Sequence, residues 1–263
     1  MIKLNDLREN LSISSPLKIR SAVNPFNLKI VVISLKRATD RRIAVEKQFM
    51  GMNLDWEFLD ATDGYQYQPS AKEYDAKKVQ KLQGYQITPA EIGCFVSHRR
   101  AWEMCLSEKR PTLIFEDDFV LLPQFYEAIQ LIMTTNTPWE ALRIQGLQDT
   151  NHNVIEHIGS FEIVQNIDDP IGLAAYILRP AGAEKLIANG QEIYEPVDHY
   201  FEHINKNSLV IHAIRPYIVE VSLAPSTIDD RPERKPLKGF KKTIRSIARQ
   251  WDRMTSSQPW YPK

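Results

Sequence analysis

Cysteine is nearly missing from the 263 residues, which contain only Cys94 and Cys105. Both fall in one predicted helix, eleven positions apart, or roughly 16 Å at helical rise. A disulfide needs Cα atoms within about 7 Å, so the pair cannot be bridged and reads as buried thiols of a reducing compartment. Long apolar runs are absent too. Nothing approaches the roughly 18 residues of a membrane span, and the N-terminus lacks a signal-peptide core. The expectation is a protein on the cytoplasmic side of its membrane. There is no net charge, with 33 basic and 33 acidic residues, and no internal repeat or low-complexity tract. What remains is the composition of an ordinary globular protein, 43% apolar and 25% charged, long enough for one substantial core with appendages.

The neutral total hides an uneven distribution. Between Arg231 and Arg253 nine basic residues face only Glu233 and Asp252. Within that segment Leu237, Phe240, Ile244, Ile247, Ala248 and Trp251 share one helical stripe, and lysines and arginines cover the rest. Such a helix suits an anionic bilayer surface, each basic residue contributing about 1 kcal/mol. The alternative is docking of the same stripe on the core. Nucleic acid is not expected, because no aromatics interleave with the basic patch.

Residues 1–27 are polar and weakly patterned and read as an extension. A domain over 28–228 and a basic C-terminal segment over 229–263 complete the division. The domain opens on Lys29-Ile-Val-Val-Ile-Ser-Leu35, an apolar β-branched run suited to a strand buried on both faces. Thr39 or Asp40 can cap the next helix, with Ile43, Ala44, Phe49 and Met50 inward and Gly51 at its end. Trp56-Glu-Phe-Leu59 is a second strand closing on Asp60-Ala-Thr-Asp-Gly64. Strand, helix, strand within about thirty residues predicts a βαβ unit and a mostly parallel central sheet flanked by helices.

Thr88-Pro-Ala-Glu91 carries the signals of a helix start: threonine cap, proline first, glutamate closing a capping box. That helix presents Ile92, Phe95, Val96, Trp102, Cys105 and Leu106 inward, and His98 is expected to hydrogen-bond in its core. Pro123 opens another helix with Phe125, Ile129 and Ile132 inward. Short strands are expected at 142–144, 172–178 and 209–212. A hairpin turns at Gly159-Ser160, and helices start at Pro180 and Pro196.

Thr112-Leu-Ile-Phe115 reads as a buried strand that stops at Glu116, Asp117 and Asp118, after which apolar residues resume. Three adjacent carboxylates at a strand end repel one another and are costly to desolvate without a cation or several donors. A hard divalent ion, Mg²⁺ or Mn²⁺, sharing its shell with substrate phosphates is a natural partner. Ligands in open α/β sheets bind beyond such strand ends. An acidic turn with no ligand is the competing reading. Elsewhere His199-Tyr-Phe-Glu-His203 spells H-x-x-E-H, a zinc-peptidase pattern in which two histidines share a helix face and Glu202 activates water. No third ligand stands at a recognised spacing.

Several segments taken together resemble glycosyltransferase family 25. They are Ile33-Ser-Leu-Lys-Arg37 with Asp40-Arg-Arg42, Phe58-Leu-Asp-Ala-Thr-Asp-Gly64, Thr88-Pro-Ala-Glu-Ile-Gly-Cys-Phe-Val-Ser-His98 and Phe115-Glu-Asp-Asp118. Gly172–Leu178, Gly182–Leu186 and Pro196-Val-Asp198 follow in the same order. The resemblance covers about residues 28–222. It implies a GT-A-like nucleotide-sugar-binding fold, a UDP-sugar donor (UDP-galactose before UDP-glucose) held through Mn²⁺ or Mg²⁺, and inverting transfer. The implied acceptor is a saccharide on a lipid-linked lipooligosaccharide or lipopolysaccharide core. The expected setting is the inner face of a bacterial inner membrane, contacted through residues 237–253.

On that resemblance Asp118 coordinates the metal directly, and Asp117 contacts the ribose or a metal-bound water. Ser34, Leu35, Arg37, Arg41, Asp60 and Asp63 border the nucleotide pocket. Asp198 is the expected general base, with Asp168 and Asp169 as rivals, and His212 a late-chain metal ligand. Arg143 is a weaker candidate for contact with donor or acceptor. A module that binds nucleotide or membrane without chemistry is the third reading beside transferase and peptidase.

Overall fold

The computed structural model describes residues 26–222. The readings on residues 1–25 and on the basic C-terminal segment lie outside the described residues. The chain runs β1 (Lys29–Ser34), α1 (Thr39–Phe49), β2 (Trp56–Asp60), α2 (Ala76–Gln83), α3 (Pro89–Glu108), β3 (Thr112–Glu116), β4 (Phe119–Leu121) and α4 (Phe125–Thr134). It continues through β5 (Ala141–Arg143), β6 (His152–Ile158), β7 (Phe161–Asn166), β8 (Ala175–Leu178), α5 (Pro180–Asn189), α6 (Val197–Glu202), α7 (Ile204–Asn207), β9 (Ile211–Arg215) and β10 (Val219–Val221). Eight strands form one sheet in the order β2-β1-β3-β8-β5-β9-β7-β6, and β4 pairs with β10 in a separate ribbon.

The continuous apolar run in β1 is buried at every position, and strand alternation explains why. Ile30 and Val32 enter one core with residues of α1 and α4, while Val31 and Ile33 enter a second core with residues of α3, α5 and α6. Helices therefore cover both faces. The large sheet flanked by helices is as expected, but its directions are mixed. β1 runs parallel to β2 and β3, and β5 to β9. β8 lies antiparallel between β3 and β5, and the β6–β7 hairpin adds antiparallel pairs out to β9. A βαβ reading covers only the first three strands; the direction of β8 is set by which neighbours it finds, and local pattern carries no information on that.

Two other local expectations shift. Helix α1 starts without a side-chain cap and buries Val45 and Phe49, whereas Ile43 and Met50 are exposed and so is Ala44. That rotation keeps Arg41 and Arg42 against the strand ends, where both find carboxylates. In α3 the capping box is present and the expected inward residues are buried, except Leu106, which is exposed. Helix α2 was not anticipated, although Asp75 caps its N-terminus through two backbone N–H groups and Gly84 closes it in the left-handed region.

Candidate functional site

The strand ends of β1, β2 and β3 meet the start of α3, and two glycines make that approach possible. A Cβ on Gly64 would fall 1.7 Å from the carbonyl oxygen of Pro89, and one on Gly93 would fall 2.6 Å from both Gly64 N and Thr62 O. Ser97 finishes the joint, accepting from Thr62 N–H at 2.8 Å and donating to Gly93 O at 2.6 Å. The D-A-T-D-G and T-P-A-E-I-G-C stretches are thus two sides of one backbone contact.

A cleft opens over this joint. Ser34, Leu35, Arg37, Arg41, Thr62, Asp63, Gly64, Tyr65, Cys94 and all three acids line it. Of the residues expected around a nucleotide, Asp60 alone lies outside this lining. It is exposed beside the cleft, and its hydrogen bond from Arg42 holds its carboxyl below the usual range. Arg37 is ion-paired to Asp63 across the mouth.

The acids divide where β3 ends and the turn at Asp117 and Asp118 begins. Asp117 turns toward α1, accepting from Ser34 Oγ and from Arg41 Nη1, each at 2.7 Å. Each of its oxygens accepts a hydrogen bond, which ties α1 to the strand end. Glu116 and Asp118, two residues apart, both border the first cleft and also a second one. Asp118 Oδ1 is buried without a hydrogen-bond partner among the described residues. Burial, followed by the nearby Glu116 carboxylate, pushes the Asp118 carboxyl up to about 6. An orphaned carboxylate oxygen beside a second carboxylate fits a hard cation held by oxygen donors. Glu116 and Asp118 could therefore hold Mn²⁺ or Mg²⁺, Glu116 standing outside the ligands expected from the sequence.

Glu116 is braced from behind. Its Oε1 lies 3.1 Å from Nε2 of His98, whose Nδ1 lies 2.9 Å from the Tyr176 hydroxyl, which accepts from Trp102 Nε1 at 2.7 Å. All three partners are fully buried. Polar contacts thus run unbroken from Trp102 through Tyr176 and His98 to Glu116. The Cys94 thiol also approaches Glu116, at 3.6 Å. Cys94, His98 and Glu116 cluster closely enough to surround an ion. Because both His98 nitrogens already have partners, we read the cluster as support for Glu116.

The second cleft is lined by Glu91, Gln145, Leu147, Ile171–Ala174, Pro196–Asp198, Val221 and Ser222, besides Cys94 and the two acids shared with the first. Asp198 stands in the first turn of α6, partly exposed, its Oδ1 accepting from His199 N–H at 3.0 Å. It thus shares a cleft with Asp118. Asp168 and Asp169 line a third cleft with His199, Glu202 and His212.

Three expectations fail on position. His212 lies in β9, paired with Leu142 and three strands from β3, about 14 Å at ordinary strand spacing. It cannot share an ion with Asp118. Arg143 is fully buried, ion-paired to Glu202 and donating to Gly172 O, and lines none of these clefts. The H-x-x-E-H pattern is not a zinc site. α6 ends at Glu202, His203 leaves the helix and pairs with Glu195 at 2.9 Å, and Glu202 is occupied by Arg143. No helix of the described residues is long and apolar enough to cross a membrane.

Residues 27–201 match the profile described as Glycosyltransferase family 25 (LPS biosynthesis protein). The chain belongs to glycosyltransferase family 25. Lipooligosaccharide biosynthesis protein lic2B of Haemophilus influenzae is 38% identical over 34% of this chain and 33% of that protein. Human procollagen galactosyltransferase 2 is 26% identical over 65% of this chain and 29% of its own length. Human inactive glycosyltransferase 25 family member 3 is 28% identical over 61% and 29%. The chain spans less than half the length of these family 25 relatives. A solved structure, A197 from STIV, aligns with 71% of this chain and 81% of its own at 10% identity and a TM-score of 0.34, a likeness too distant to argue from.

Proposed function

We propose that this family 25 chain transfers a hexose from a UDP-sugar to a saccharide acceptor with inversion, galactose being the first choice of sugar. The observation that carries the reading is the meeting of two clefts at Glu116 and Asp118, with Asp198 on the wall of the second. In a GT-A-like layout the nucleotide would lie over the ends of β1 and β2, and the transferred hexose would meet the acceptor in the second cleft.

Ser34, Leu35, Asp63 and Tyr65 would receive the nucleoside, and Arg37 and Arg41 supply positive charge near the diphosphate. Glu116 and Asp118 would hold Mn²⁺ or Mg²⁺. Such an ion, when bound, neutralises charge on departing UDP as a Lewis acid. In the transfer, an acceptor hydroxyl oxygen forms a bond to the anomeric carbon while the bond from that carbon to the phosphate oxygen breaks. UDP leaves with the electron pair, and the hydroxyl proton passes to Asp198 as general base. The names of two relatives, one for lipooligosaccharide biosynthesis and one for procollagen galactosyl transfer, support a saccharide-building role. A lipooligosaccharide core, approached at an anionic membrane surface through residues 237–253, is the acceptor we favour.

Thermal unfolding of the full chain tests the donor site. UDP at about 100 times its Kd with Mn²⁺ stabilises by about 2.7 kcal/mol, a rise of about 5–10 °C for a domain this size. EDTA should abolish the rise. Protection by UDP that EDTA leaves intact would overturn the cation bridge. UDP binding without UDP release from any UDP-hexose, in the presence of saccharide acceptors, would assign the chain to the inactive branch of its family.

A further inference from the structure

Gln145 is a polar side chain of the second cleft that the transfer chemistry leaves unused. It follows β5 on the strand face that also carries Arg143, opposite Leu142 and Ile144, which point into the core shared with α4. Only 1% of Gln145 is exposed. Its Oε1 accepts the Ala174 N–H at 3.2 Å, which fixes which end of the amide faces the backbone. Nε2 is then turned the other way, buried and without a hydrogen-bond partner among the described residues. Leaving a buried amide unmatched is costly, so an N–H pair without a partner on a cleft wall points to a ligand acceptor atom.

The chemistry of that atom follows from the surroundings. The amide is a neutral donor, and neither arginine of the first cleft joins it in the second. That suits an uncharged hydroxyl or ether oxygen rather than a phosphate. Leu147 and Ile171 are exposed at 58% and 40% on the same wall and offer apolar surface to the C–H face of a sugar ring. Gly172, at φ 73°, keeps this wall thin: a Cβ there would sit 3.0 Å from Leu147 and 3.8 Å from Gln145 Nε2. β5 lies two strands from β3, about 10 Å. That is too far for a shared ion and suits the sugar hung from a diphosphate anchored at Glu116 and Asp118.

We infer that Gln145 Nε2 donates a hydrogen bond to a hydroxyl of the transferred hexose and so contributes to the choice among UDP-hexoses. This rests on the UDP-sugar reading above. The test compares Gln145→Met, equal in length but without the donor, with the unaltered full chain. Titrations with Mn²⁺ measure the Kd of UDP, UDP-galactose and UDP-glucose.

The variant should leave UDP affinity unchanged, weaken the preferred UDP-hexose about five- to tenfold, and narrow its margin over the other epimer. Unchanged hexose affinity, or equal losses for UDP and UDP-hexose, overturns the inference. So does an effect confined to the KM of the acceptor. The unaltered chain supplies a measurement independent of the variant's folding: among deoxy analogues of the preferred UDP-hexose, one should lose affinity by a similar factor. If none does, the inference fails. Failure of the unaltered chain to bind UDP with Mn²⁺ sinks the donor reading itself, whereas normal UDP binding with an indifferent Gln145 sinks only this assignment.

Discussion

Replacing Asp118 with Asn should make the cation-free protein more stable while removing its response to cations. The carboxyl stands at about 6 against an ordinary 3.8 because burial and Glu116 disfavour its charge. At about 1.4 kcal/mol per pH unit, ionising it in the folded state costs about 3 kcal/mol at most. Solvent reaches part of the group, which lowers the figure to about 1–2 kcal/mol. An acid whose folded value is raised weakens the fold as it ionises. The penalty is absent below about pH 4, grows through pH 6 and is complete above it. Asn is neutral throughout. In EDTA at pH 8 the Asp118→Asn protein should therefore melt about 3–6 °C higher than the unaltered chain, and the gap should close at pH 4. Adding Mn²⁺ and UDP should reverse the order, since only the unaltered chain gains. Differential scanning calorimetry across pH reads both effects. A variant that melts no higher at pH 8 in EDTA, or that keeps the Mn²⁺-dependent gain, refutes the reasoning.

Three further outcomes are expected. Gly93→Ala puts a Cβ 2.6 Å from backbone atoms of the 62–64 loop and should cost about 1–3 kcal/mol in urea denaturation, with weaker UDP binding; a neutral result would mean the α3 joint yields easily. N-ethylmaleimide should label Cys94, which borders both clefts, before Cys105, which is buried with its thiol pushed up to about 11. UDP with Mn²⁺ should slow that labelling, and peptide mass spectrometry showing Cys105 modified first would contradict the placement. Deleting residues 237–263 should release the protein from anionic liposomes while turnover on a soluble acceptor persists. Equal flotation of the two forms would remove the membrane role.

Local chemistry settled much of the chain before any fold was available. The β-branched run of β1, the threonine–proline–glutamate start of α3, the Gly159-Ser160 hairpin and the strand stopping at three acids each follow from neighbours within a few residues. The family-level motifs are legible for the same reason: tight turns and caps need particular residues at fixed offsets. The residues of the first cleft fall at predictable strand ends, and six of the seven expected around a nucleotide line it.

Partnership across the sheet was decided only in three dimensions. Asp117 and Asp118 look equivalent in the chain, but Ser34 and Arg41 claim one of them, and the other borders the second cleft as well as the first. His98 braces Glu116 through partners 78 and 18 positions away, and no short-range pattern encodes such distances. His199 and His203 keep the spacing of a zinc pair, yet the helix that would align them ends between them. Gln145 is one polar residue among many until Ala174 fixes one end of its amide and burial leaves the other without a partner among the described residues. Backbone propensity acts over a turn or two, whereas burial and charge pairing act between whichever side chains the packed layers bring within a few ångströms. The first kind of information is written along the chain, and the second exists only once the chain has folded.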